Sequence, residues 1–184
     1  MSDLNKYEAV IGLEVHAQLS TKAKIFAADA TEYGAEPNTQ VSAITAALPG
    51  TLPKINKGVI EKAAMLGLAC NCTINKVNTF DRKNYFYPDS PKGFQTTQDN
   101  QPICIGGVVP IEVDDIAGEI ALNRIHLEED AGKTNHELLD DFSVVDLNRA
   151  GTPLVEIVTE PVLRNSDEAY SFLTEIRKLV RYLN

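Results

Sequence analysis

Val108-Val109-Pro110-Ile111-Glu112-Val113-Asp114-Asp115-Ile116-Ala117-Gly118-Glu119-Ile120-Ala121-Leu122-Asn123-Arg124-Ile125-His126-Leu127-Glu128 is the stretch that decides the fold. Two apolar, β-branched runs, Val108 to Val113 and Glu119 to Glu128, flank a cluster of turn formers, Asp114, Asp115 and Gly118. That pattern predicts a β-hairpin and so an antiparallel sheet. Working outward, Glu8 to Leu19 alternates strictly and reads as a strand. Ile11, Leu13, Val15 and Leu19 share one face, and Glu14, His16 and Gln18 share the other. Thr73 to Phe80, Ser143 to Leu147 and Leu154 to Val158 read as further strands, the last two separated by the break Gly151-Thr152-Pro153.

Helical spacing appears twice. Asn56 is placed to cap a helix that carries Val59, Ile60, Ala63, Ala64 and Leu66 inward. Asn165 or Ser166 caps a second, with Asp167 and Glu168 in the first turn and Ala169, Phe172, Leu173, Ile176, Leu179, Val180 and Leu183 on one stripe. Strands in pairs with few helices predict an α+β, mainly antiparallel domain, since the βαβ alternation of a doubly wound sheet is missing. The last helix runs to Asn184 without a Gly or Pro stop, which predicts the N-terminal part of a longer protein.

The 184 residues carry a net charge of −9, which argues against a broad nucleic-acid-binding surface and leaves room for local contacts only. No apolar run approaches the roughly 20 residues needed to span a bilayer. Three cysteines, Cys70, Cys72 and Cys104, form no disulfide framework and predict a reducing, cytoplasmic setting. Cys70-Asn71-Cys72 has no second pair to complete a zinc site and reads as reduced thiols near a helix end.

Four segments carry candidate chemistry. Glu14 and His16, two apart on a strand, point the same way and could share one cation; a solvent-facing edge strand gives the same pattern. Glu128-Glu129-Asp130 are three consecutive acids at a strand end, which repel unless a cation or several donors sit among them. Oxygen ligands of this kind suit Mg²⁺, with Lys133 near enough to meet a phosphate; an acidic turn in water is the plainer reading. His126 reads as a hydrogen-bonded core residue more readily than as a ligand, and His136 falls in a polar loop. Phe80 to Gln95 sets Tyr85, Phe86, Tyr87 and Phe94 beside Arg82, Lys83 and Lys92, a surface able to stack a ring and hold a phosphate, or a connection tucked onto the core. Pro88 and Pro91 exclude a regular helix or central strand there. Asp146, Asn148 and Arg149 stand at a strand end, where Arg149 offers a fork to carboxylate or phosphate oxygens or a salt bridge to Glu156 or Glu160.

Ile11-Gly12-Leu13-Glu14-Val15-His16, Gly34-Ala35-Glu36-Pro37-Asn38, Asp81 to Gln95, Glu128 to Lys133 and Asp146 to Glu156, in that order, resemble the B subunit of the glutamyl-tRNA(Gln)/aspartyl-tRNA(Asn) amidotransferases, from about Tyr7 to the end. The resemblance implies that residues 1–184 are the N-terminal portion of a catalytic cradle domain similar in fold to glutamine synthetase and guanidino kinases. It implies phosphorylation of the side-chain carboxylate of mischarged Glu-tRNA(Gln) or Asp-tRNA(Asn) with ATP and Mg²⁺. Amidation then follows, by ammonia from the amidase or A subunit, with the small C subunit completing a heterotrimer. The resemblance places metal ligands on Glu14, His16, Glu128 and Glu129; of the cations available for phosphoryl transfer, Lys83 and Arg149 are assigned to catalysis, and Lys92 and Lys133, with Tyr85 and Tyr87, to the nucleotide. Many members carry four zinc-binding cysteines; this chain has Ala27, Asp29, Ser42 and Thr45 there, so a zinc-free member is expected. The family's helical domain and tRNA-binding tail are expected to lie outside this piece, and the chain alone is expected to be inactive. A non-catalytic module binding a divalent cation is the alternative reading.

Overall fold

The computed structural model describes residues 6–139 and 141–183. Among them the chain forms β1 (Glu14–Gln18), α1 (Lys57–Ala69), β2 (Thr73–Ile74), β3 (Asp81–Asn84), β4 (Phe94–Thr97), β5 (Cys104–Ile105), β6 (Val108–Val113), β7 (Ile116–Glu129), β8 (Lys133–Leu139), β9 (Phe142–Asp146), β10 (Pro153–Thr159) and α2 (Ser166–Leu183). The strand pairs are antiparallel, so the fold is α+β as the hairpin predicts. The hairpin itself is tighter than expected. Asp114 (φ 50°) and Asp115 (φ 62°) make the turn alone, both left-handed as a two-residue type I′ connection requires. Gly118 lies inside β7, opposite Ile111.

The main sheet runs β1-β10-β7-β5-β2, with β6 also paired to β7. β10 is flanked on both sides, and most of its side chains are buried. β7 carries one extra residue: Val158 and Thr159 are consecutive on β10 but face Arg124 and Leu122 on β7. This bulge inverts the strand's alternation. Ile120 and Leu122 before it, and Ile125 and Leu127 after it, therefore all enter the core. Arg124, His126 and Glu128 take the opposite face.

The helices form where expected. The Asn56 side chain accepts from Gly58 N at 3.0 Å, and Val59, Ala63 and Leu66 are buried. Asn165 Oδ1 accepts from Glu168 N at 2.9 Å while Glu168 Oε2 accepts from Arg164 N at 2.7 Å, closing the start of α2 reciprocally. Phe172 and Ile176 of α2 join Val59, Ala63, Ile125, Val155 and Ile157 in one core.

Four expectations need correcting. The first strand is confined to Glu14–Gln18, because Leu13 N donates to the Thr159 hydroxyl (2.9 Å) instead of continuing the ladder. The strand near Thr73 ends at Ile74, where Asn75 turns its amide and side chain onto Ile103 O and Pro102 O. The aromatic segment is bracketed by β3 and β4, a two-stranded excursion whose prolines lie between the strands. His136 lies on β8, paired with β9, and not in a loop.

Candidate functional site

Strand register assembles a polar centre on the sheet face opposite the helices. His16, Glu156 and His126 stand side by side across β1, β10 and β7, and Glu128 follows two residues after His126. His16 Nε2 lies 3.0 Å from Glu156 Oε2 and 3.5 Å from Glu128 Oε2. His126 Nε2 lies 3.3 Å from Glu128 Oε1 and 3.3 Å from Glu156 Oε2. His126, Glu128 and Glu156 are buried, whereas the His16 side chain is 54% exposed, so the centre opens to solvent on the β1 side.

The charges are tightly matched. The hydrogen bond from His126 pulls Glu156 down to about 2 against the opposing pull of burial, with His16 assisting. Burial works to raise Glu128, but hydrogen bonds from His126 and Thr97 hold it below the usual carboxylate value. Burial works to lower His126, and its bonds to the two acids outweigh that and raise it.

One donor atom each from His16, Glu128 and Glu156 lie within 4.8 Å of one another. Adjacent ligands of a six-coordinate ion with bonds near 2.1 Å are about 3 Å apart, so the 3.0 and 3.5 Å separations fit a small divalent cation. Two carboxylates and one imidazole make a mixed set that suits Mg²⁺ or Mn²⁺.

Of the ligands implied by resemblance, His16 and Glu128 meet here. Glu14 is on the same strand face, exposed and outside the converging group. Glu129 leaves it: by alternation it faces away from Glu128, its Oε1 pairs with the Lys92 ammonium, and it accepts from Thr96 N at 2.7 Å. His126 is buried and hydrogen-bonded, as expected, whereas Glu156 was not read as a ligand from sequence. One signal points to it: it is a lone acid inside the apolar run Leu154 to Val158.

A cavity of about 650 Å³ adjoins this centre, with Gln95, Glu129 and Asp130 on its wall. Gln95 links the two, its Nε2 reaching Glu128 Oε2 (3.2 Å) and Glu129 O (2.9 Å). Phe26, Phe80 and Phe94 give the cavity an aromatic wall, and Arg82 and Lys92 supply cations. Lys92 Nζ sits 5.1 Å from the Phe94 ring centre and 5.7 Å from that of Phe26; Arg82 lies 4.9 Å from the Phe94 ring. Tyr85 also lines the cavity.

The remaining candidates lie elsewhere. Tyr87 is outside the lining and half exposed, with its hydroxyl 3.4 Å from His136 Nε2. Lys83 and Lys133 are exposed and outside the lining. Arg149 directs its fork at Ala131 O (2.9 Å) and Gly132 O (2.5 Å) and lies 3.6 Å from Asp130, so the expected bridge to Glu156 or Glu160 is replaced by a clamp on residues 130–132. Gly132 is needed at that junction: a Cβ there would lie 2.8 Å from Asp146 O and 3.1 Å from Asp89 O. Asp146 and Asn148 are also structural. They accept from Asn38 N and Gln40 N, and Asn148 Nδ2 donates to Glu36 O at 2.7 Å, which pins residues 36–40.

The positions Asp29, Ser42 and Thr45 converge. Asp29 Oδ2 accepts from the Ser42 hydroxyl (2.9 Å) and from the Thr45 hydroxyl. Ala27 lines the cavity and contributes no donor. Beside this cluster Lys24, fully buried and unforeseen from sequence, donates to Gln40 O at 2.7 Å. The three thiols are buried, which pushes Cys70 and Cys104 up to about 12 and Cys72 to about 11, and so keeps them unreactive. Among the described residues no helix is long and apolar enough to cross a membrane.

Comparison with known proteins shows the family. The B subunit of the aspartyl/glutamyl-tRNA(Asn/Gln) amidotransferase of Thermoanaerobacter pseudethanolicus is 54% identical over 177 residues, 96% of this chain and 37% of the relative. The protein of that name from Thiobacillus denitrificans is 54% identical over 178 residues, covering 97% and 38%. That from Desulfotalea psychrophila is 51% identical over 179 residues, covering 97% and 38%. The chain thus spans a little over a third of the length of these curated relatives. The GatB/GatE catalytic domain model matches residues 9–184, and the chain belongs to that family.

Proposed function

We propose, from this membership, that the domain activates the side-chain carboxylate of mischarged Glu-tRNA(Gln) or Asp-tRNA(Asn) for amidation, within a longer B subunit of a tRNA amidotransferase. The observation that carries the reading is the meeting of His16, Glu128 and Glu156 beside an aromatic cavity walled by Arg82 and Lys92. A free carboxylate acylates poorly because its leaving group would be oxide. In the proposed reaction a carboxylate oxygen attacks the γ-phosphorus of ATP and ADP leaves. Ammonia then attacks the acyl carbon, phosphate departs, and the amide forms.

His16, Glu128 and Glu156 would hold Mg²⁺, which when bound would offset negative charge between nucleotide phosphates and the approaching carboxylate. Glu14, exposed on the same face, borders that position and does not complete it. Lys92, fixed against Glu129, and Arg82 present positive charge to the cavity, and Tyr85 offers a ring to stack on. Lys83, Lys133 and Tyr87 are exposed outside the cavity lining and would act on substrate from solvent, and Arg149 acts by shaping residues 130–132. Asp29, Ser42 and Thr45 close their segment by hydrogen bonds, without zinc. Ammonia delivery by the amidase or A subunit, completion of a cytoplasmic heterotrimer by the small C subunit, and a cradle akin to glutamine synthetase and guanidino kinases belong to the same proposal.

The test is Gln-tRNA formation by the full-length assembly from Glu-tRNA(Gln), ATP and ammonia, compared with Glu156→Gln. ATP-dependent amidation lost in the folded variant supports the reading. Cation binding without any ATP-dependent activation of Glu-tRNA would return the non-catalytic module.

A further inference from the structure

We infer that His126 is a positioning residue for the cation site, its Nε2–H holding the carboxylates of Glu128 and Glu156 in the orientation that turns both toward His16. The inference rests on the divalent-cation reading and adds to it a residue outside the converging ligand group.

The hydrogen-bond pattern assigns the ring its task. An ionised carboxylate only accepts, so the atom 3.3 Å from both Glu128 Oε1 and Glu156 Oε2 must carry the proton. The other ring nitrogen, Nδ1, is buried without a hydrogen-bond partner. Burying such an atom is unfavourable, so the imidazole is kept here for what Nε2 does. His16 differs, being more than half exposed, while His126 lies beneath the two acids at 3% exposure.

Glu128 shows the consequence. Its Oε1 is tied down by Thr97 Oγ1 at 2.6 Å and by His126. Its Oε2 is left with Gln95 Nε2 at 3.2 Å and His16 Nε2 at 3.5 Å. One oxygen anchors the carboxylate and the other is presented. Two neighbouring buried carboxylates repel, and the donor between them keeps them close. Were His126 itself a ligand, Nε2 would turn a lone pair to the ion and both acids would lose this donor.

Mn²⁺ binding to this chain, followed by electron paramagnetic resonance, tests the inference without any turnover. Outer partners of metal ligands typically contribute 10–100-fold in affinity. His126→Leu, which keeps bulk and removes the donor, should lose affinity in that range and broaden the bound-Mn²⁺ spectrum. His126→Gln, which restores an N–H but offers no imidazole lone pair, should retain wild-type affinity. Leucine binding as tightly as wild type, or glutamine falling as far as leucine, would overturn the inference. Should the leucine variant fail to fold, the glutamine variant decides alone: wild-type affinity supports the donor role and a tenfold loss overturns it. A wild-type chain that does not bind Mn²⁺ would instead sink the cation reading, and this inference with it.

Discussion

The sheet-face centre and the Asp29 cluster are built alike yet end differently. Each gathers side chains from distant segments around acids held below their usual values. At Asp29, burial works to raise the carboxyl, but hydrogen bonds from Thr45 and Ser42 and the nearby Lys24 ammonium hold it down. Its hydrogen-bond partners are hydroxyls and an amide, neutral groups with nothing to exchange. At the sheet face, Glu156 Oε2 is shared by two imidazoles, and one of these is open to solvent. A cation can take the place of a proton there. What separates a clasp from a site is thus the kind of partner the acid has and the access to it, more than the number of polar groups.

Glu156→Gln should break this comparison most sharply. Losing a direct ligand should weaken Mn²⁺ binding by more than the roughly 100-fold upper range of outer partners, measured by calorimetric titration. Unchanged affinity would make the sheet-face centre as structural as the clasp. Asp29→Ala should do the converse. It strands two hydroxyls and should cost about 1–3 kcal/mol of stability in urea unfolding, with Mn²⁺ affinity unaltered. A parallel loss of affinity would mean that the two regions are one.

A smaller effect sharpens the clasp. Burial lowers the Lys24 ammonium from 10.5 to about 8, even with Asp29 and Asp146 nearby. Between those values the unfolded chain keeps a proton that the folded chain has released, so raising the pH across this window favours folding. Melting temperatures of wild type and Lys24→Met should therefore diverge in favour of wild type on going from about pH 8 to about pH 10. A constant difference would place the folded value outside that window. The least effect on folding is expected at Tyr87. Tyr87→Ala should leave stability within about 0.5 kcal/mol, as at ordinary surface positions, while lowering amidation by the full assembly. Equal losses would assign the ring to packing.

The hairpin, both helix caps and the inward residues of α1 were legible because each is written in local spacing. The candidate centre was legible in halves. His16 stood out beside Glu14 on the polar face of an alternating strand, and Glu128 in a run of three acids, but Glu156 is one acid in an apolar strand, and only pairing across β10 gives it neighbours. Lys24 could not be anticipated, because its acceptors lie on Gln40 and Leu147, distant in sequence. β8 was missed because its exposed, polar residues lack alternation and depend on β9 for their pairing. Arg149 misled for a related reason: its fork meets backbone carbonyls, and these leave no mark in the side-chain sequence.

The extra residue in β7 has a consequence for how this strand can change over time. Thr159 faces Leu122 and Val158 faces Arg124, so Asn123 is the residue with no opposite number on β10. Deleting it would make the ladder regular, and His126 and Glu128 would keep their face while Ile125 and Leu127 stayed in the core. A one-residue slip between Arg124 and Glu129 has no such outlet and would turn these four side chains over. Lineages carrying this centre should therefore tolerate loss of the extra residue at Asn123, yet keep the length from Arg124 to Glu129 constant. A variant lacking Asn123 should fold and still bind Mn²⁺; loss of both would mean that the bulge itself is required.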